Sequence, residues 1–200
     1  MAEIVVPCVY FTRPGPANTV RTLELARTRA EALGIRKVLV ATTSGATGVQ
    51  AVRILQGLEV IVVTHSAGFQ QPNTQELTDD NRTAIEAAGA TILTCQHAFG
   101  GVGRAVRKKL GTYELEEIIA YTLRTFGEGM KVAAEISLMA ADAGLIRTDE
   151  AVIAVAGTGR GADTAIVLRP TNAQTFFDLR FLEMICMPSP GHPQAGATAQ

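Results

Sequence analysis

Lys37-Val-Leu-Val-Ala41, followed directly by Thr42-Thr-Ser-Gly-Ala-Thr47, is the stretch on which the fold turns. Five residues carry four apolar side chains in an unbroken run, as a strand covered on both faces requires. The next six are hydroxyl-rich and contain one glycine, and the helical spacing Val49, Val52, Leu55 begins after them. A buried strand running through a polar turn into a helix is the start of a βαβ unit. Glu59 to Thr64 (Glu-Val-Ile-Val-Val-Thr) supplies the second buried strand of that unit.

The same rhythm extends in both directions. Upstream, Val5 to Phe11 reads as a strand broken by Arg13-Pro-Gly-Pro16. Asn18 or Thr19 then caps a helix with the stripe Val20, Leu23, Ala26, Ala30 and Leu33. Downstream, His65 to Asp80 is polar and irregular, Asn81 to Ala88 is helical and Ala90 to Cys95 is a strand. Tyr113 to Phe126 and Met130 to Ala143 are helices, and Ala151 to Ala156 and Thr164 to Arg169 are strands, with Leu182 to Met187 as a further candidate. Gly34, Gly89 and Gly144 each follow a helical run, where a left-handed terminating residue belongs. The seven residues from Gly157 to Asp163 are too few for a helical crossover, so the strand at Thr164 should run antiparallel to the one before it. The pattern predicts a three-layer α/β/α fold around a mostly parallel mixed sheet of about five strands, the last antiparallel. Residues 1–188 would form one domain, and 189–200, rich in Pro, Gly and Ala, a disordered tail.

Composition narrows the function classes. Eighteen basic against 19 acidic residues give a net charge of −1, which argues against a nucleic-acid binder or a polybasic membrane surface. No apolar run approaches a membrane span, and the N-terminus lacks the basic start of a signal peptide, so a cytoplasmic protein is expected. Cys8, Cys95 and Cys186 are odd in number and widely separated, with no ligand-like spacing, so no metal site is expected.

In open sheets of this kind ligands sit beyond the carboxyl ends of the strands. Three glycine-bearing loops leave that edge. In the first, Thr42 to Thr47, hydroxyls and the free N–H groups of a helix start offer an anion site that needs no lysine, with Gly45 letting the backbone approach; alternatively, Ser44 and Thr47 merely cap the helix. The second is Thr64 to Phe69, with His65 and Gly68, and the third is Gly157 to Asp163. His65 and His97 read either as satisfied loop histidines or as groups that carry chemistry. Arg104, Arg107, Lys108 and Lys109 form a basic cluster suited to a solvated helix face or a subunit contact. Glu135 and Asp142 lie seven apart on one helix face, with roles left open; a buried partner for Glu135 is possible.

Residues 37–48 with Val60 to Thr64, and Val152 through Gly157-Thr-Gly-Arg-Gly161 to Thr164, resemble the C-terminal α/β domain of pyruvate kinase. Over residues 8–188 the chain is similar to stand-alone proteins of that domain type, through Pro14-Gly15, Asn18-Thr19, Thr64-His65, Ala67-Gly-Phe69, Met139 to Gly144, Gly161 to Thr164 and Met187-Pro188. That resemblance implies flavin mononucleotide (FMN) as cofactor. Thr43, Ser44, Gly45 and Thr47 would hold its phosphate. The ring and ribityl chain would lie along Thr64, His65, Gly68 and Phe69 and along Gly157, Gly161, Asp163 and Thr164, reaching Asn18. Nothing in the chain matches the kinase's catalytic barrel, so kinase activity is not implied, and Ala46 argues against a sugar bisphosphate. The expectation is an FMN-binding protein of unknown substrate, with a small flavin-dependent oxidoreductase as its narrower form. The alternatives are a regulatory module for a phosphorylated metabolite and a phosphosugar isomerase-like domain. A homo-oligomer would suit so compact a domain.

Overall fold

Alternation along β2 (Lys37–Ala41) sends Val38 and Val40 to one side of the sheet and Leu39 to the other, and the two sides build separate cores. The computed structural model describes residues 2–192. The elements around β2 are β1 (Val9–Phe11), α1 (Thr19–Leu33), α2 (Ala46–Ile54), β3 (Glu59–Val63), α3 (Asp79–Ala87) and β4 (Thr91–Leu93). After them come α4 (Val102–Leu110), α5 (Leu115–Arg124), α6 (Glu128–Asp142), β5 (Val152–Ala156), β6 (Thr164–Arg169) and β7 (Arg180–Pro188). Short 3-10 turns occupy Pro16–Asn18 and Ala173–Asp178. No described helix is long and apolar enough to cross a membrane.

All seven strands form one sheet, in the order β1-β7-β6-β5-β2-β3-β4. Strand β2 pairs in parallel with β3 and β5, and β3 with β4. Strand β6 is antiparallel to β5, as the short Gly157–Asp163 link requires, and also to β7, which runs parallel to β1. The five expected strands are therefore present, and β7 and β1 extend the sheet beyond the reversed strand.

Helices α1, α2 and α3 cover one face through Leu23, Ala26, Ala30, Ala51 and Ile85 against Val38, Val40, Val62, Ile153 and Val155. On the other face α6 lies against Leu39, Ile61, Ala154, Ile166 and Leu168, with α5 outside it. Its alanines (133, 134, 140 and 141) bring α6 close enough that twelve of its fifteen residues are buried. Each large apolar side chain buried in these layers contributes about 1.5–3 kcal/mol.

The stripe of α1 is rotated from the expected one. Val20 and Leu33 are exposed, and Thr19 and Thr22 are buried in their place. The reason is specific pairing: Thr19 Oγ1 accepts the Ala162 N–H (3.0 Å), and Thr22 Oγ1 donates to the Ala162 C=O (3.4 Å). Gly34, Gly89 and Gly144 end or follow their helices at φ 65°, 80° and 72°, the left-handed conformation expected of them. Beyond β7, the Ser189 N–H donates to the Phe11 C=O and His192 stacks on Tyr10, so these two residues of the expected tail are held against β1. Residues 193–200 of that tail lie outside the described residues.

Candidate functional site

From β2 the chain steps outward to β3 and β4, then returns through α4, α5 and α6 to β5 on the opposite side of β2. Strand order reverses at the β2–β5 boundary, where such sheets open a crevice at their carboxyl ends. A cleft of about 1090 Å³ lies there, and all three glycine-bearing loops reach it. Thr42, Thr43, Ser44, Ala46 and Thr47 line it from the first, Thr64, His65 and Phe69 from the second, and Gly157, Gly159, Arg160 and Gly161 from the third. Asn18, Gly45, Gly68, Asp163 and Thr164 are not among the lining residues.

The first loop is set by α3. The Ser44 C=O accepts from Asn81 Nδ2 (2.8 Å) and from the Thr78 N–H (3.3 Å). Gly45 has φ 95°, and a Cβ on it would lie 2.5 Å from Asn81 Cβ and 2.6 Å from a Leu77 methyl. Its glycine is thus required by the packing of the α3 segment. The first helical bond of α2 runs from the Val49 N–H to the Gly45 C=O (2.9 Å), which leaves the N–H groups of Ala46, Thr47 and Gly48 ahead of it. Gly45 is itself the N-cap and no side chain caps the helix, so Ser44 and Thr47 do not serve that purpose.

In the second loop, the buried Thr64 hydroxyl meets Thr94 Oγ1 (2.6 Å) and the His65 C=O (3.0 Å), tying β3 to the end of β4. His65 Nδ1 contacts Glu76 Oε2 at 2.7 Å, and its ring lies 4.1 Å from that of Phe69. Phe69 stacks in turn on His97 (5.0 Å), with the Arg104 guanidinium 4.8 Å from its centre. Gly68 (φ 77°) turns the chain back so that its N–H reaches the Thr74 C=O. It shapes the loop without entering the cleft.

The third loop is anchored from beneath. Asp163 is fully buried and accepts from the Gly15 N–H (2.9 Å), the Thr158 N–H (3.2 Å) and Thr164 Oγ1 (3.0 Å). Asn18 donates to the Arg13 C=O (2.8 Å). Asn18, Asp163 and Thr164, expected along the ligand, instead hold the walls: Asp163 and Thr164 fix this turn and Asn18 the loop that leads into α1. A Cβ on Gly157 would strike the Gly161 carbonyl, and one on Gly161 would lie 2.5 Å from Pro16 Cα.

Charged side chains that the loop motifs do not announce complete the cleft. Lys131 and Glu135, four apart on α6, pair at 2.5 Å with side chains only 6% and 4% exposed. Glu135 Oε1 also accepts the Phe99 N–H (2.9 Å), and Oε2 faces His97 Nδ1 at 3.6 Å. Burial pushes the Glu135 carboxyl up, but the His97 imidazole and the Lys131 ammonium beside it more than reverse that and hold it at about 2. The possible buried partner of Glu135 is thus Lys131. Asp142, on the same face, instead receives Asn172 Nδ2 and the Ala173 N–H at the helix end. Arg104 turns from the basic cluster into the cleft, whereas Arg107 pairs with Glu117 (2.7 Å) and Lys108 and Lys109 are exposed. With Arg124 and Arg160, four cations face three carboxylates, Glu76, Glu128 and Glu135. A lysine thus lines the cleft, on a different element from the β2–α2 loop. The sequence signal was there, a Lys and a Glu at i and i+4 in an otherwise apolar helix.

Among solved structures, the chain is similar to a mutant of O-ureido-L-serine synthase crystallised with O-ureido-L-serine bound. Identity is 18%, the match covers 68% of this chain and 49% of that one, and the TM-score of 0.29 is too low to support any inference. The family model of the pyruvate kinase alpha/beta domain matches residues 21–168, from the first turn of α1 to the penultimate residue of β6. That span contains the β2–α2 loop, the antiparallel turn and every cleft-lining residue except Pro16 and Thr19, and on this match the chain belongs to the pyruvate kinase alpha/beta domain family.

Proposed function

We propose that the cleft binds FMN, with the phosphate at the β2–α2 loop and the flavin ring against the Phe69–His97 wall. The observation that carries this reading is that one cleft joins an anion position to the aromatic cluster of His65, Phe69 and His97. The N–H groups of Ala46, Thr47 and Gly48, the positive end of the α2 dipole and the hydroxyls of Thr43, Ser44 and Thr47 suit a phosphate. The volume, about 1090 Å³, is at the upper end of what small-ligand sites occupy. Bound there, FMN would supply one- and two-electron redox chemistry, and the protein its placement and electrostatics. The surplus of cations favours one second reading, a regulatory module holding a metabolite with two anionic groups.

Calorimetric titration with FMN, riboflavin and a sugar bisphosphate separates these readings. FMN should bind, riboflavin should bind at least tenfold more weakly, and Thr47→Val should weaken FMN roughly tenfold, the value of a hydrogen bond to a charged group. Binding of the bisphosphate without FMN would establish the regulatory reading instead.

A further inference from the structure

The cleft contains a donor that the phosphate position does not use. Lys131 lies on α6, beneath the sheet edge, and lines the cleft although its side chain is only 6% exposed. An ammonium has three N–H donors. Among the described residues Glu135 is its one hydrogen-bond partner. Glu135, by contrast, is fully engaged, with the Phe99 N–H on one oxygen and Lys131 and His97 at the other. The carboxylate therefore fixes where the ammonium sits and cannot absorb its remaining donors.

Stability relative to an apolar pair does not account for a lysine and a glutamate here. Exchanging a buried ion pair for apolar residues of similar volume is often neutral or stabilising, and the surrounding face of α6 is apolar, with Ile136 and Met139 also lining the cleft. A cation retained at such a place, with donors to spare and an opening beside it, is a binding group. The β2–α2 loop already offers three N–H groups and three hydroxyls to a phosphate, and Lys131 reaches the cleft from a different element on the opposite layer of the fold.

We infer that Lys131, positioned by Glu135, is a second anchoring point of the cleft. It would donate to an electron-rich edge of the ligand distinct from its phosphate, so that the site selects phosphorylated molecules carrying a second anionic or strongly accepting group. This rests on the cleft reading above. For FMN, that group is the carbonyl-bearing edge of the ring, and a cation beside it favours the reduced, anionic form over the oxidised one.

The test compares wild type, Lys131→Met and the double variant Lys131→Met/Glu135→Gln, the last leaving no uncompensated charge if the single variant unfolds. Each is titrated with FMN and with inorganic phosphate, and the FMN midpoint potential is measured. The inference expects FMN to bind at least tenfold more weakly to the variants, phosphate to bind as in wild type, and the potential to fall. FMN binding and potential unchanged in the double variant would overturn it while leaving the cleft reading intact. Equal losses for phosphate and FMN would also overturn it, because Lys131 would then belong to the phosphate position. A wild type that binds no FMN would refute the flavin reading and this inference with it.

Discussion

Replacing Glu135 with Gln removes a buried negative charge from between Lys131, His97 and the Phe99 N–H while keeping the side chain's shape. The folded protein holds this carboxyl at about 2, against an ordinary value of 4.5. A tenfold change in acidity is worth about 1.4 kcal/mol, so the ionised carboxylate contributes on the order of 3 kcal/mol of stability at pH 7. Because the folded value is the lower one, that contribution is complete above about pH 4.5 and is lost as pH falls through 2. More than half of it should be gone by about pH 3. Urea unfolding of wild type and Glu135→Gln at pH 7, 5 and 3 measures this directly. The expected gap is roughly 3 kcal/mol at pH 7 and 5, narrowing to less than half at pH 3. A gap under about 1 kcal/mol at neutral pH, or one that does not narrow with acid, would refute the account of α6 as carrying a buried, charge-stabilised carboxylate.

Three further outcomes follow from the glycines and the cysteines. Gly159 and Gly161 share a left-handed backbone (φ 78° and 72°), but only Gly161 is crowded, by Pro16 Cα at 2.5 Å. Gly159→Ala should cost about 1–2 kcal/mol in urea unfolding and Gly161→Ala about 3 or more; equal costs would mean that the Pro16 contact yields freely. Gly45→Asp should lower the melting temperature with or without ligand, since the new side chain meets Asn81 and Leu77; an unshifted melting point would contradict that packing. Burial pushes the Cys186 thiol up to about 12, so iodoacetamide at pH 8 should leave it unmodified until denaturant is added. Peptide mapping that finds Cys186 alkylated in the folded protein would contradict its place in the core.

What the sequence reveals here is what local chemistry decides. The run at Lys37–Ala41 and the short link before Thr164 specify a buried strand and a reversed one without reference to the rest of the chain, and both are as expected. The three cleft loops are legible because each joins glycine to hydroxyl residues directly after a buried strand. The role of Asp163 is not, since one of the two N–H groups it accepts belongs to Gly15, 148 residues away. Gly45 signals a left-handed turn locally, but its crowding comes from Leu77 and Asn81 on a later element. Lys131 and Glu135 have the spacing of an ordinary surface pair. They become a buried pair lining the cleft only once the sheet and the Phe99 segment close over α6. Helix α4 shows in the sequence only as a basic cluster suited to a solvated helix face or a subunit contact, because its apolar residues Val102 and Leu110 are exposed and give no inward stripe.

The central claim, that the β2–β5 cleft holds FMN, is tested most directly by the absorption spectrum of the protein purified without added cofactor, followed by mass spectrometry of whatever heat releases. The account predicts flavin bands in wild type that are lost or strongly reduced in Thr47→Val, and FMN as the released molecule. A colourless protein that takes up no flavin when FMN is added in excess would contradict it.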